Sequence, residues 1–163
     1  LGGGRRGRPQ LPGHPGADMT TLTIIIPGEP MPSLRARAAA TRHGVRMYID
    51  DRVTDAKVRI SAAVRAAWGP SRPPLPRDTA WCVDVDFVFE RPKSVKRKHH
   101  TVKPDRDNLD KLVMDGITRA LVNGLGGPWW DDCQVIDGPP RKRYAEPGEE
   151  PHVRIVLSVV TDD

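Results

Sequence analysis

Thr79-Ala-Trp-Cys-Val-Asp-Val-Asp-Phe-Val-Phe-Glu90 is the stretch that decides the fold. Trp81, Val83, Val85, Phe87 and Phe89 recur at a period of two, alternating with Cys82, Asp84, Asp86 and Val88. Successive side chains of a strand point to opposite faces, so this pattern predicts a strand with one strongly buried face. A sheet with an apolar face needs a second layer to cover it. The flanking sequence supplies that layer as two helices. Upstream, residues 53–68 carry Val53, Ala56, Ile60, Ala63, Val64 and Ala67 at helical spacing, and Gly69-Pro70 ends the run. Downstream, Asp107–Asn123 carries the stripe Leu109, Leu112, Val113, Ile117, Ala120 and Leu121, with Gly116 on the same side and Gly124 in the usual stop position.

Further out, Thr21–Ile26 is rich in β-branched residues and ends at Pro27-Gly28, which reads as a strand. Ala36–Thr41 and Val45–Ile49 flank Arg42-His43-Gly44 and predict a hairpin. Pro73–Pro76 is a linker. Gln134–Ile136 and Lys142–Ala145 are expected to pair with each other across Asp137–Arg141, and Val153–Val160 closes the chain as a strand. The order β, hairpin, α, β, α, β, β predicts one α+β domain, a mixed β-sheet packed with two main helices. A chain of 163 residues suits a single core. Residues 1–18 are Gly/Pro/Arg-rich with no apolar period. They are expected to form a disordered basic extension ahead of a domain over 19–163, with Met19 as the true start.

Apolar residues make up 37% of the chain, and no apolar run approaches the length of a bilayer span. The basic N-terminus has no apolar core of a secretory signal. A cytoplasmic protein with no membrane partner is therefore expected. Cys82 and Cys133 belong to no Cys-x-x-Cys pair or Cys/His cluster, which argues for free thiols and against zinc. The net charge of +5 is compatible with nucleic acid, and its distribution says more. Basic residues crowd into Arg91–His100 and Lys103, acidic ones into Asp105–Asp115 and Asp131–Asp137. Lys93, Lys96, Arg97, Lys98, His99, His100 and Lys103 are the candidate DNA-binding residues. The two histidines are read as part of a solvated loop that meets phosphates, in preference to metal ligands.

In Lys103-Pro-Asp-Arg-Asp-Asn-Leu-Asp-Lys-Leu-Val-Met-Asp115, Pro104 keeps the approach extended. Asp105 and Asp107 then share a face, with Asp107 as helix N-cap and Asn108 as the first helical residue. Lys111 and Asp115 follow at one-turn intervals, opposite the apolar stripe. Carboxylates suit magnesium, and both the helix N-terminus and Lys111 attract phosphate. Alone, this stretch is read more simply as capping and surface ion pairs. Trp129-Trp130-Asp131-Asp132-Cys133-Gln134-Val-Ile-Asp137 shifts that balance by adding a second acidic cluster before a strand. In a strand only one of Asp131 and Asp132 can join a given site. Trp129 and Trp130 are read as core or rim packing, in preference to base stacking.

Taken together, His100-Thr-x-Lys-Pro-Asp-x-Asp-Asn-Leu-x-Lys111, a helix bearing Asp115, Asp-Asp-x-Gln-Val over 131–135 and a basic strand with Tyr144 resemble the RusA-like crossover junction endodeoxyribonucleases, typical of bacteriophages and prophages. The resemblance is strongest over 99–145. It implies a magnesium-dependent homodimer that makes paired nicks in four-way (Holliday) DNA junctions, with no nucleotide cofactor. It implies Asp105, Asp107 and Asp132 as catalytic metal ligands and Lys111 as the catalytic lysine; by their positions in the sequence, Asp115 and Asp131 are expected as outer neighbours of that set. The 18-residue extension and the Pro-rich stretch at 70–76 depart from the family pattern. The rival expectations are a nuclease of the same fold acting on other branched DNA, and a non-catalytic structure-specific DNA-binding protein.

Overall fold

The computed structural model describes residues 21–162, so the N-terminal extension and Met19 lie outside the described residues. The expected strand is β4 (Trp81–Phe89), at the centre of a five-stranded sheet. β7 (His152–Val159) runs antiparallel to β4 on one side and to β1 (Thr21–Pro27) on the other. On its far side β4 is met by β5 (Val135–Asp137) and β6 (Pro140–Tyr144), both parallel to it. The expected pairing of these two short strands with each other is therefore not what forms. Gly138 lies at φ 121° with its Cα pressed against the backbone of Val83, where any Cβ would collide. The register shifts once, at Ile136, and the Gly-Pro-Pro corner then carries the chain onward along β4.

Trp81, Val83, Val85, Phe87 and Phe89 are all buried, as the alternation predicts. They are covered by α1 (Asp51–Trp68) and α2 (Arg106–Thr118). Asp50 caps α1 by accepting from the Arg52 N–H at 2.9 Å. The helix buries Val53, Ile60, Val64 and Trp68, while Ala67 faces solvent and the larger Trp68 fills the last turn. Trp81 meets Trp68 and Trp129 edge to face at 6.0 and 5.9 Å. Trp129 is 1% exposed and donates to Thr118 Oγ1 at 3.1 Å, so it is core, as read from sequence.

α2 starts and ends earlier than its apolar stripe suggests. It stops at Thr118, and Ala120 and Leu121 continue the apolar contact from a turn closed by reciprocal Val122–Leu125 backbone bonds. On the opposite sheet face Cys82, Asp84 and Asp86 are half exposed, and Arg141 and Arg154 lie over the two aspartates. Cys82 and Cys133 are free thiols. β2 (Arg37–Thr41) and β3 (Gly44–Tyr48) form a separate two-stranded ribbon. No helix among the described residues is long and apolar enough to cross a membrane.

Candidate active site

The N-terminus of α2 places the first acidic group. Asp105 has extended backbone (φ −69°, ψ 145°) and is the N-cap residue, but its side chain makes no capping bond. Its carboxylate accepts instead from Lys103 Nζ at 2.8 and 2.7 Å. Asp107 is therefore not the cap expected from sequence. It lies inside the first turn, because the helix begins at Arg106. The argument that residues two apart share a face holds only while the chain stays extended, and here it turns helical between the two carboxylates. Asp107 is exposed, beside free backbone N–H groups whose partial charge favours an anion.

Lys111 follows one turn on and is exposed. Asp115 follows after another turn and pairs with Lys57 of α1 at 3.3 Å, not with Lys111. From Asp107 to Asp115 is eight residues of helix, about 12 Å along the axis at 1.5 Å per residue.

The second acidic group lies near this far end of α2. Asp131 caps a short 3-10 helix, Asp132–Gln134, directly before β5, where the approach to that strand was expected to be extended. Its carboxylate accepts from the Cys133 N–H at 2.9 Å, which holds it below the ordinary carboxylate range, helped by a hydrogen bond with Asp132. Asp132 is pushed up by partial burial, by that hydrogen bond, and by the negative charges of Asp131 and Asp115. Buried Gln134 fixes the turn, accepting from Trp130 N–H at 2.9 Å and donating to Pro76 and Thr79 carbonyls at 3.1 Å. Asp131 and Asp132 thus interact directly, where a strand would have sent them to opposite faces.

Carboxylates are the donors a small hard cation takes, and Asp132 sits where neighbouring negative charge makes a cation welcome. Yet among the described residues of one chain no three His, Cys, Asp or Glu side chains gather closely enough to hold a metal ion. Asp105 and Asp107 stand at one end of α2, and Asp132 with Asp131 and Asp115 toward the other. The convergence of all three expected ligands on one point does not occur within a single chain.

The basic loop folds against the first acidic group. Lys93, Lys96, Arg97, Lys98, His99 and Lys103 are exposed, as expected of residues that meet phosphates. His100 is not. It is 7% exposed, stacked on Phe89 with ring centroids 4.0 Å apart, and 4.9 Å from Tyr144. Burial, with the charges of Lys142 and Arg97, keeps its pKa below the usual histidine value. The sequence reading as solvated loop fails for His100 because the ring completes an aromatic cluster.

Lys142 was not singled out from sequence. Its ammonium donates to the carbonyls of Val102 at 2.6 Å and Pro104 at 2.9 Å, fastening the loop beside Asp105. Strand alternation in β6 was the available signal, since it turns Lys142 toward the loop and Arg141 toward the outer face. Between the loop and residues 29–34 lies a cleft of about 590 Å³, lined by Ser33, Phe89, His100, Lys103, Asp105 and Asn108 among others.

The family model for Endodeoxyribonuclease RusA matches residues 27–158. No curated protein matches the chain.

Proposed function

The chain belongs to the endodeoxyribonuclease RusA family, and from that premise we propose that it is a magnesium-dependent endonuclease that resolves four-way DNA junctions by paired nicks. The observation that carries this reading is the head of α2. Asp105, Asp107 and Lys111 line an exposed helix start against which the basic loop is fastened. That surface offers charge for a polyanion beside carboxylates for a hard cation. Asp105, Asp107 and Asp132 are the proposed ligands and catalytic acids. They stand apart in one chain, so a complete set requires a second copy or a rearrangement on DNA. The proposed assembly is a homodimer, whose twofold symmetry presents one site to each of two strands of a junction. A domain over 19–163, acting in the cytoplasm, completes the proposal.

The chain's own contributions follow from where its groups lie. Lys93, Lys96, Arg97, Lys98, His99 and Lys103 hold phosphates. Lys111 neutralises the charge that builds on the phosphate oxygens during hydrolysis. Lys103 covers Asp105 until DNA draws its ammonium away. The divalent ion would supply activation of the attacking water.

A gel assay on a synthetic four-way junction, with Mg²⁺ and with EDTA, tests the reading. Paired, symmetric nicks only with the metal are expected. Asp107→Asn should lower cleavage by orders of magnitude while junction binding in EDTA persists or tightens. Full cleavage in EDTA, or near-wild-type cleavage by Asp107→Asn, would sink the proposal.

A further inference from the structure

The β2–β3 ribbon stands outside both the sheet and the helical layer. Its ten residues pair only with each other, Arg37 with Tyr48 through Thr41 with Gly44. All but Ala39 are exposed. The register divides its two faces. Ala38, Ala40, Val45 and Met47 share one; Arg37, Ala39, Arg46 and Tyr48 share the other. Arg35 lies at the foot and Arg42 at the tip. No acidic residue occurs from Pro30 to Ile49, and none of these four arginines forms an ion pair among the described residues. Arg37 acts at a distance on Asp50, which is already bonded to Arg52 at 2.8 Å.

The foot of the ribbon is fastened to the candidate site. The Ser33 N–H donates to the Asn108 carbonyl, in the first turn of α2, at 2.9 Å. Ser33 and Leu34 share the lining of the cleft with Asp105. A cationic arm is therefore rooted beside the carboxylates.

We propose that residues 35–48 form a DNA-binding arm, which enters the major groove of the duplex flanking the cut and sets its arginine face against phosphates. This rests on the nuclease reading above. A two-stranded ribbon fits a major groove about 12 Å wide. Four arginines without an ion-pair partner among the described residues, and with no acid from Pro30 to Ile49, match a polyanion. A second copy is the less suitable occupant. The apolar face holds two alanines, a valine and a methionine, far short of the roughly 800 Å² per partner of a stable interface.

The test is equilibrium binding of the full chain to a four-way junction and to linear duplex across a salt series, without Mg²⁺. Arg37→Ala/Arg46→Ala should weaken both complexes about 10-fold or more, and should reduce the slope of log affinity against log salt by about 1.8, at roughly 0.9 per lost phosphate contact. Arg37→Lys/Arg46→Lys should keep the slope, which preserves the test should the alanine variant misfold. Unchanged affinity and slope in the alanine variant overturn the arm. Dissociation of a dimer by Val45→Ser/Met47→Ser, with the arginine variants binding as wild type, also overturns it and makes a second copy the occupant. Binding without cleavage by the wild-type chain would spare the arm and sink the nuclease reading; no DNA binding would sink both.

Discussion

Lys111 and Glu149 show how differently two charged side chains can be placed on one surface. Lys111 is exposed one turn after Asp107, and the partner it would take by helical spacing, Asp115, is bonded to Lys57. Little stability therefore depends on it, and its charge remains available to a phosphate. Lys111→Ala should slow single-turnover junction cleavage by about 100-fold or more, with an unchanged melting point. Lys111→Arg should recover part of the rate, since the charge survives in a bulkier planar head. A rate above half of wild type in Lys111→Ala would reduce it to a surface residue.

Glu149 has the opposite character. Its bidentate pairing with Arg143, together with the Glu146 N–H at 3.1 Å, draws its pKa from 4.5 to about 2. A depressed carboxylate adds stability that is fully present above pH 4.5 and is lost as pH falls through about 2. Glu149→Gln should be less stable than wild type at neutral pH, and the two unfolding curves should converge toward pH 2. Parallel curves across that window would show that the pair contributes nothing.

At the scale of elements, the approach of α1 to α2 decides where the head of α2 points. Gly116 is buried in α2, and a Cβ there would stand 2.8 Å from Cβ and Cγ2 of Ile60. Ile60 is 3% exposed and has nowhere to retreat. Gly116→Ala should therefore destabilise by about 1–3 kcal/mol through overpacking, although alanine favours a helix by about 1 kcal/mol over glycine. Urea unfolding measures the balance, and a more stable variant would mean that the helices can part without cost. A similar close approach acts at Gly138, where it sets β5 and β6 in line along β4 and so fixes which way Lys142 faces. The fastening of the basic loop is thus a consequence of sheet topology.

Over the whole molecule, charge is segregated although its net value is only +5. The loop over 91–103 and the ribbon over 35–48 are basic stretches without a single acid, while acidic side chains gather at the two ends of α2. Replacing Lys93, Lys96 and Lys98 with alanine should weaken binding to every DNA form. The salt slope should fall by roughly 2 to 3 if each lysine releases one counterion. A filter-binding series against salt checks this, and an unchanged slope would place the DNA elsewhere.

The period-two run over 81–89 and the helical stripes on either side determined the α+β class, the element order and most of the core. Burial of apolar area is the main driving force of folding, and its periodicity is written along the chain. The residues of the candidate site were also legible, because a run such as Lys103–Asp115 is local and its chemistry belongs to the residue types. Their arrangement was not. Asp107 lost the cap position because the helix begins one residue after Asp105, a local choice that propensity resolves poorly. His100 left the solvent because Phe89 and Tyr144, distant in sequence, form a place for its ring. The parallel run of β5 and β6 depended on the contact of Gly138 with Val83, and the separation of Asp132 from Asp105 on the length of α2 between them. The last three are distances between groups well separated along the chain, set by packing, and no pattern along the chain encodes them.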